Sequence, residues 1–291
     1  SSDVCSSDLD AFKSFFNNYL VKSKKSYTPQ NIGELKNDYD LFISGSDQVW
    51  SPRCVGFDPA YFLTFADDKQ KYSYAASFAV PTLPDEFIDE YKKRLNGFQK
   101  FSVREPSGEK LVKELTGRTA ETHLDPTLLI SADEWKKIAV SKIDKPYILI
   151  FTANPAVSLV DFALKLSKEK NLPVYCINDA PHPVSHGINY IVAPTVEEFV
   201  GCFKNAEYVV TNSFHGTAFS VIFNKNLFVE FKNKSGRNIR SEGLLKSLGI
   251  DREIVDGNCR ETEINWDIIN AQLKTLGSKS KKYLSEIVNM E

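Results

Sequence analysis

The chain has 291 residues, 36 basic against 38 acidic side chains, a formal charge of −2, and is 42% hydrophobic and 25% charged. This composition excludes disorder and collagen-like repeats, and its near-neutral mix of signs lacks the broad basic footprint of a nucleic-acid-binding surface. The length suits two domains, or one large one, with ample apolar material for a core.

No apolar run approaches the roughly 18–20 residues of a spanning helix, and the longest, such as Tyr147–Phe151, have the length of strands. The expectation is a cytoplasmic protein with no transmembrane segment, leaving peripheral contact with the inner face of a membrane open. Cys5, Cys54, Cys176, Cys202 and Cys259 are scattered, odd in number and without C-x-x-C spacing, so neither a disulfide framework nor a zinc site is expected. Ser1–Leu9 (SSDVCSSDL) has no hydrophobic period and lacks the basic start and apolar stretch of a signal peptide; it reads as a non-native leader.

From Ala11 to Val21 the residues Phe12, Phe15, Phe16, Tyr19 and Leu20 recur at helical spacing, which predicts an amphipathic helix. Tyr39–Ser44 reads as a buried strand ending at Gly45. Tyr72–Phe78, Phe101–Val103 and Thr122–Leu124 read as further strands, with helices over Asp85–Leu95 and from Pro106 through Leu115. After a charged linker at Lys142–Lys145 the alternation restarts. Strands are predicted at Tyr147–Phe151, Pro173–Ile177, Ile188–Val192, Tyr208–Val210 and Leu227–Phe231, and helices at Leu159–Lys170, Val196–Asn205 and Gly216–Phe223. Arg240–Leu248 and Trp266–Asn289 are helical, the last free to pack back across the domain junction. Such alternation predicts two α/β, Rossmann-like domains with mostly parallel sheets, whose ligands gather outside the carboxyl ends of the strands. The boundaries read as 10–141 for an incomplete first domain, 142–250 for the second and 251–291 for C-terminal helices.

Thr211–Ser220 (TNSFHGTAFS) follows a strand and opens a helix, where free N–H groups and the helix dipole favour an anion. His215 lies beside that position, and an adjacent phosphate would keep it protonated as an acid; a structural histidine with Asn212 and Ser213 as simple caps is the other reading. His182 and His186 flank Pro183 in a loop and read as surface residues, while His123 reads equally as a packed strand residue or a ligand.

Gly45-Ser46-Asp47-Gln48-Val49-Trp50 ends the first strand. Its glycine permits close approach, Ser46, Asp47 and Gln48 offer donors and acceptors, and Trp50 offers a surface to stack on a sugar or base; a tight turn with a core tryptophan is the alternative. Arg104 closes another strand at the same carboxyl edge, suited to a carboxylate or phosphate, or else to an ion pair with Glu105. Arg237 and Arg240 stand ready for a phosphate or for solvent. No phosphate-loop, dinucleotide, zincin or nucleophile-elbow motif occurs, and no metal is expected.

Asp40–Trp50 (DLFISGSDQVW), Tyr72–Phe78 (YSYAASF), Phe101–Glu105 (FSVRE), Leu124–Leu129 (LDPTLL) and Ala206–Ser220 (AEYVVTNSFHGTAFS), in that order, resemble the polysaccharide pyruvyl transferase family over about Asp40 to Ile250. The resemblance implies a two-domain fold like that of the B-type glycosyltransferases, and transfer of a pyruvyl group from phosphoenolpyruvate to sugar hydroxyls as a ketal in cell-surface or exopolysaccharide synthesis. It implies no cofactor beyond that donor substrate, a saccharide or lipid-linked oligosaccharide acceptor, no nucleic acid, and an interdomain cleft that excludes water. By position, His215 matches the family's histidine and becomes the candidate acid. Arg104 matches the arginine of the first domain and would hold the donor's charges. Asp47 would orient or deprotonate the acceptor hydroxyl, and Gly45, Ser46, Gln48, Trp50, Asn212, Ser213 and Gly216 would complete the substrate contacts. Where the best-understood members carry an arginine two residues before the histidine this chain has Ser213, a place Arg240 is suited to fill. The strand, N-Y-G-type turn and helix that usually open the family have no match before Asp40, which reads as a truncated first domain. A sugar-nucleotide glycosyltransferase on the same scaffold and a non-catalytic binding fragment are the competing readings.

Overall fold

The computed structural model describes residues 13–23, 25–53, 58–153, 156–178, 187–233 and 236–289. Ser1–Leu9, Cys54, His182 and His186 lie outside them. The chain divides into two compact units, one of Lys24–Leu129 with Asp267–Glu291, the other of Ser1–Ser23 with Ile130–Trp266. Residues 13–19 form the first helix, α1, on which Phe16 and Tyr19 are exposed.

In the unit built on Lys24–Leu129, β1 (Phe42–Ser44) pairs in parallel with β2 (Lys71–Ser73), and β3 (Ser102–Val103) with β4 (Glu121–Thr122). Parallel bridges Tyr72↔Lys100 and Ala76↔Val103 join the two pairs. The four strands therefore run in sequence order with their carboxyl ends at one edge. The helix α2 (Asp85–Leu95) carries Asp85 and Glu86 in its first turn and Lys92, Lys93 and Arg94 in its last, which complements the helix dipole. Pro106 starts α3 (Pro106–Thr116), and Gly117 ends it in the left-handed conformation. Their apolar faces close over an aromatic core centred on Trp50. This side chain is fully buried, with the rings of Phe62, Phe78, Phe98 and Phe101 within 6.3 Å of its own, and its indole N–H donates to the Tyr61 carbonyl at 3.2 Å. The stacking role expected for Trp50 is corrected accordingly: it is a core residue, the alternative reading of that turn.

The unit of Ile130–Trp266 opens with α4 (Ala132–Ile138), which the sequence reading missed although Ser131 caps it by accepting from the Glu134 N–H at 3.2 Å. Strands β5 (Ile148–Phe151), β6 (Val174–Asn178), β7 (Ile188–Val192), β8 (Tyr208–Thr211) and β9 (Asn226–Val229) form one parallel sheet in the order β7-β6-β5-β8-β9. Ile148 and Ile150 face α5 (Val157–Lys170), burying against Leu159, Phe162, Ala163 and Leu166. The alternate residue Phe151 faces α6 (Val196–Asn205) and meets Phe199 and Phe203; Phe203 in turn meets Phe219 of α7 (Phe214–Ile222). Both faces are covered, so these strands read as nearly continuous apolar runs. A hairpin of β10 (Lys232–Asn233) and β11 (Gly236–Arg237), not anticipated, leads into α8 (Ile239–Ser247).

Trp135 of α4 packs edge-on against Phe219 at 5.1 Å, which explains why this unit starts at Ile130 and not after the charged linker near residue 142. The last helix, α9 (Trp266–Val288), joins the unit of Lys24–Leu129. Its Tyr283 and Ile287 bury against Tyr72 and Tyr74, its Ser280 hydroxyl accepts the Leu124 N–H at 3.1 Å, and the Tyr283 hydroxyl donates to the Ser73 carbonyl at 3.0 Å.

His123 sits under α9 with its side chain inaccessible, its ring 4.5 Å from that of Tyr283 and its Nδ1 2.8 Å from the Ser102 hydroxyl. Burial, with Lys279 nearby, pulls its pKa down to about 4 against an ordinary 6.5. The folded state thus holds a neutral histidine that the unfolded chain protonates first. Its stabilisation is complete above about pH 6.5 and is lost as pH falls towards 4, at up to about 1.4 kcal/mol per pH unit. Chemical denaturation of wild type and His123→Phe across pH 7 to 4.5 should give a flatter stability profile for the variant; parallel profiles would exclude this role.

Candidate functional site

In the five-stranded sheet the order reverses between β5 and β8, the place where ligands of open parallel sheets bind. There the Ala153 N–H after β5 donates to Asn212 Oδ1 after β8 at 2.9 Å. Thr211 Oγ1 accepts the Ser213 N–H at 3.0 Å, and Ser213 Oγ caps α7 by accepting from the Gly216 N–H at 3.4 Å. Asn238 caps α8, accepting from the Ser241 N–H at 3.3 Å, and its amide donates to the Asn212 carbonyl at 3.0 Å. The amino termini of α7 and α8 are thereby tied to the same turn. His215, on the first turn of α7, is partly exposed, with its ring edge-on to Phe214 at 5.4 Å, and the Arg240 guanidinium lies 5.6 Å from the centre of the Phe214 ring. An imidazole, a guanidinium and two helix amino termini therefore converge at one carboxyl edge, a combination that suits an anion.

Three expected substrate contacts are corrected here. Asn212 and Ser213 are 1% and 6% exposed, and their side-chain oxygens accept from the backbone N–H groups of Ala153 and Gly216, so they build the turn. Gly216 is needed for close packing, since a Cβ there would lie 2.3 Å from Thr211 Oγ1 and 3.2 Å from the Phe151 ring. The sequence reading also passed over Asn238, whose cap position lies outside the motif, and Glu230, whose carboxylate accepts from the Ser158 hydroxyl at 2.6 Å beside the same edge. Arg237 lies in β11.

At the carboxyl edge of the smaller sheet a second cluster forms. Gly45 has φ +128°, and a Cβ there would stand 2.1 Å from the Tyr74 carbonyl oxygen, so only glycine fits. Arg104 is the centre, its side chain 2% accessible. Nη2 meets Asp125 Oδ2 at 2.7 Å and donates to Ser46 Oγ at 2.6 Å, while Nη1 meets Asp47 Oδ1 at 3.3 Å. Of the two carboxylates Asp125 is buried and Asp47 is 60% accessible. Gln48 is half-buried in the same turn. The alternative pairing with Glu105 does not form: the Glu105 carboxylate accepts from the Ser77 hydroxyl and the Phe78 and Ala79 N–H groups at 3.0–3.1 Å. Arg104, expected as a direct holder of donor charge, is instead engaged with two carboxylates of its own chain. In the sequence Asp125 stands within the Leu124–Leu129 motif without an assigned role; its place after the fourth parallel strand puts it at this edge.

Among the described residues no group of three or more His, Cys, Asp or Glu side chains is arranged to hold a metal ion, and no helix is long and apolar enough to cross a membrane. A cavity of about 500 Å³ lies at the opposite, amino end of β5, β8 and β9, lined by residues including Lys145, Asn205, Glu207, Lys225 and Asn226; it shares nothing with either cluster.

The model of the polysaccharide pyruvyl transferase family matches residues 2–229. The chain belongs to that family. The match starts within the stretch set aside as a leader and stops at Val229, short of the Ile250 expected from the motifs. A search of curated protein sequences found no match. Among solved structures, UDP-GlcNAc 2-epimerase from Methanocaldococcus jannaschii is similar at a TM-score of 0.54 and 12% identity, over 98% of this chain and 96% of that one. The same enzyme in complex with UDP-GlcNAc and UDP gives 0.53 and 12%, over 96% and 88%. The glycosyltransferase TibC from enterotoxigenic E. coli matches at 0.31 and 12% over 74% of this chain and 62% of that one, too low a score to argue from. At such identities the likeness to the epimerases shows the fold alone: the α/β, Rossmann-like class of the B-type glycosyltransferases. For this pyruvyl transferase family member the glycine at 216 is a geometric requirement, so Gly216→Ala should lower stability by about 1–3 kcal/mol through overpacking against Thr211. Urea unfolding measures it, and an unchanged midpoint would mean that α7 shifts freely on its strand.

Proposed function

We propose that this family member is a polysaccharide-modifying transferase that moves a pyruvyl group from phosphoenolpyruvate to two hydroxyls of a sugar. The observation that carries the reading is His215 on the first turn of α7, at the strand-order reversal, with Arg240 over the ring of the neighbouring Phe214. Phosphoenolpyruvate brings a carboxylate and a phosphate, and the amino termini of α7 and α8 with the Arg240 guanidinium offer partial and full positive charge to them. Arg240 thus takes the part played by an arginine at the position of Ser213 in other members.

The chemistry follows from the donor. His215 protonates the methylene carbon, which becomes a methyl group, and the middle carbon becomes oxocarbenium-like. One sugar hydroxyl adds there and gives up its proton, the carbon–oxygen bond to phosphate breaks, and inorganic phosphate leaves with its electron pair. The second hydroxyl adds to the renewed cationic centre, loses its proton and closes the ketal. Asp47, the exposed carboxylate of its cluster, is the acceptor-side group that orients a hydroxyl or takes its proton, with Ser46 and Gln48 in the same turn. Arg104 enters through the turn it holds. The acceptor is a saccharide, free or lipid-linked, and the protein works in the cytoplasm or at the inner face of the membrane.

Phosphoenolpyruvate should raise the thermal midpoint of the wild type with concentration, since a ligand that binds only the native state stabilises it by about 2.7 kcal/mol at a hundred times its dissociation constant. His215→Ala and Arg240→Ala should each cut that response at least tenfold in apparent affinity. A response to nucleotide sugars with none to phosphoenolpyruvate moves the assignment to glycosyl transfer; silence with both leaves a non-catalytic fragment.

A further inference from the structure

We propose that Asp125 is a positioning residue, acting through Arg104 to hold Asp47 in place at the carboxyl edge of the β1–β4 strands. The proposal deepens the reading above, on which its activity arm rests. Asp125 is fixed from both sides: Oδ1 accepts the Thr127 N–H at 2.9 Å, and Oδ2 meets Arg104 Nη2 at 2.7 Å and Ser46 Oγ at 3.1 Å. Arg104 is 2% accessible and Asp125 4%, so the guanidinium cannot swing to solvent without leaving a buried carboxylate uncompensated. Its other arm reaches Asp47 at 3.3 Å.

Asp47 has φ +90°, a backbone conformation that a residue with a Cβ rarely adopts. Such a residue persists only where its surroundings over-determine it. The surroundings of Asp47 include the Arg104 contact on its side chain and the Ser77 N–H donating to its carbonyl at 2.9 Å. Exposure distinguishes the two carboxylates. One guanidinium bridges both, with Asp125 buried and Asp47 60% accessible, so Asp47 is the carboxylate that an acceptor hydroxyl in need of a proton acceptor can reach. A pair kept for stability alone would require Asp125 but not Asp47.

Asp125→Asn keeps the shape and removes the charge; Arg104→Gln with Asp125→Asn removes both charges and leaves no buried ion alone. With phosphoenolpyruvate as donor and methyl hexopyranosides as acceptors, both variants should keep the donor-induced midpoint shift and lose at least tenfold in kcat for phosphate release. Either change added to Asp47→Asn should cost less than a further twofold, because all act through one carboxylate. Full turnover in the doubly neutral variant, or losses that multiply with Asp47→Asn, would overturn the proposal. If the wild type releases no phosphate with any acceptor, the pyruvyl-transfer reading fails and hydrogen exchange decides this one. The Trp50 and Ser77 amides, bonded across the turn, should exchange at least tenfold faster in Asp125→Asn with the amides of Ile148–Phe151 unchanged, and equal rates would refute it.

Discussion

Parallel pairing sends the carboxyl end of every strand to the same edge of its sheet, and the polar chemistry of both units follows from that one constraint. After β5 and β8 it places Ala153, Asn212 and the start of α7 together; after β1, β3 and β4 it places Asp47, Arg104 and Asp125 together. Ala153 and Asn212 are 59 residues apart in sequence, and Asp47, Arg104 and Asp125 are likewise well separated. Apolar side chains above and below each sheet fix the strands, and the loops have only the edge left on which to meet.

Much of this was legible because local pattern and tertiary demand agree. The helices Asp85–Leu95 and Val196–Asn205 and the strand Ile188–Val192 fall where the sequence predicts them, and the five-strand alternation after residue 142 produces the parallel sheet. The misses have physical reasons. Periodicity identifies an apolar tryptophan as well as it identifies a stacking one, so Trp50 was left between core and site until its burial decided it. The charged linker at Lys142–Lys145 drew the domain boundary, but contact with Phe219 through Trp135 places α4 in the following unit. The return of α9 to the unit of Lys24–Leu129 depends on Tyr283 meeting Tyr72 and Tyr74, a pairing more than 200 residues apart that no window of sequence contains.

The candidate site was legible as a set of positions and not as a set of roles. A motif tells which residues share an edge; it does not tell which side chains face a ligand and which hold the backbone. Asn212, Ser213 and Gly216 belong to the turn because a sharp strand-to-helix junction strands N–H and C=O groups that must be satisfied internally. Once that framework is subtracted, His215 and Arg240 remain on the outside of the turn, and the reading rests on fewer residues with clearer tasks.

The same separation explains why both edges contain buried polar groups at all. Leaving a buried donor or acceptor unmade is costly, whereas a connected group of them rigidifies the loops it joins. Glu105 fixes residues 77–79 through three donated hydrogens, Asn238 ties α8 to the turn before α7, and Asp125 holds Arg104 against Ser46. On the reading proposed above, such directional support matters, since an acid aimed at a carbon and a base aimed at a hydroxyl lose their effect with small displacements. The interior groups fix the two turns: Arg104 and Asp125 hold residues 46 and 47, and Thr211, Ser213 and Asn238 hold the junction that starts α7.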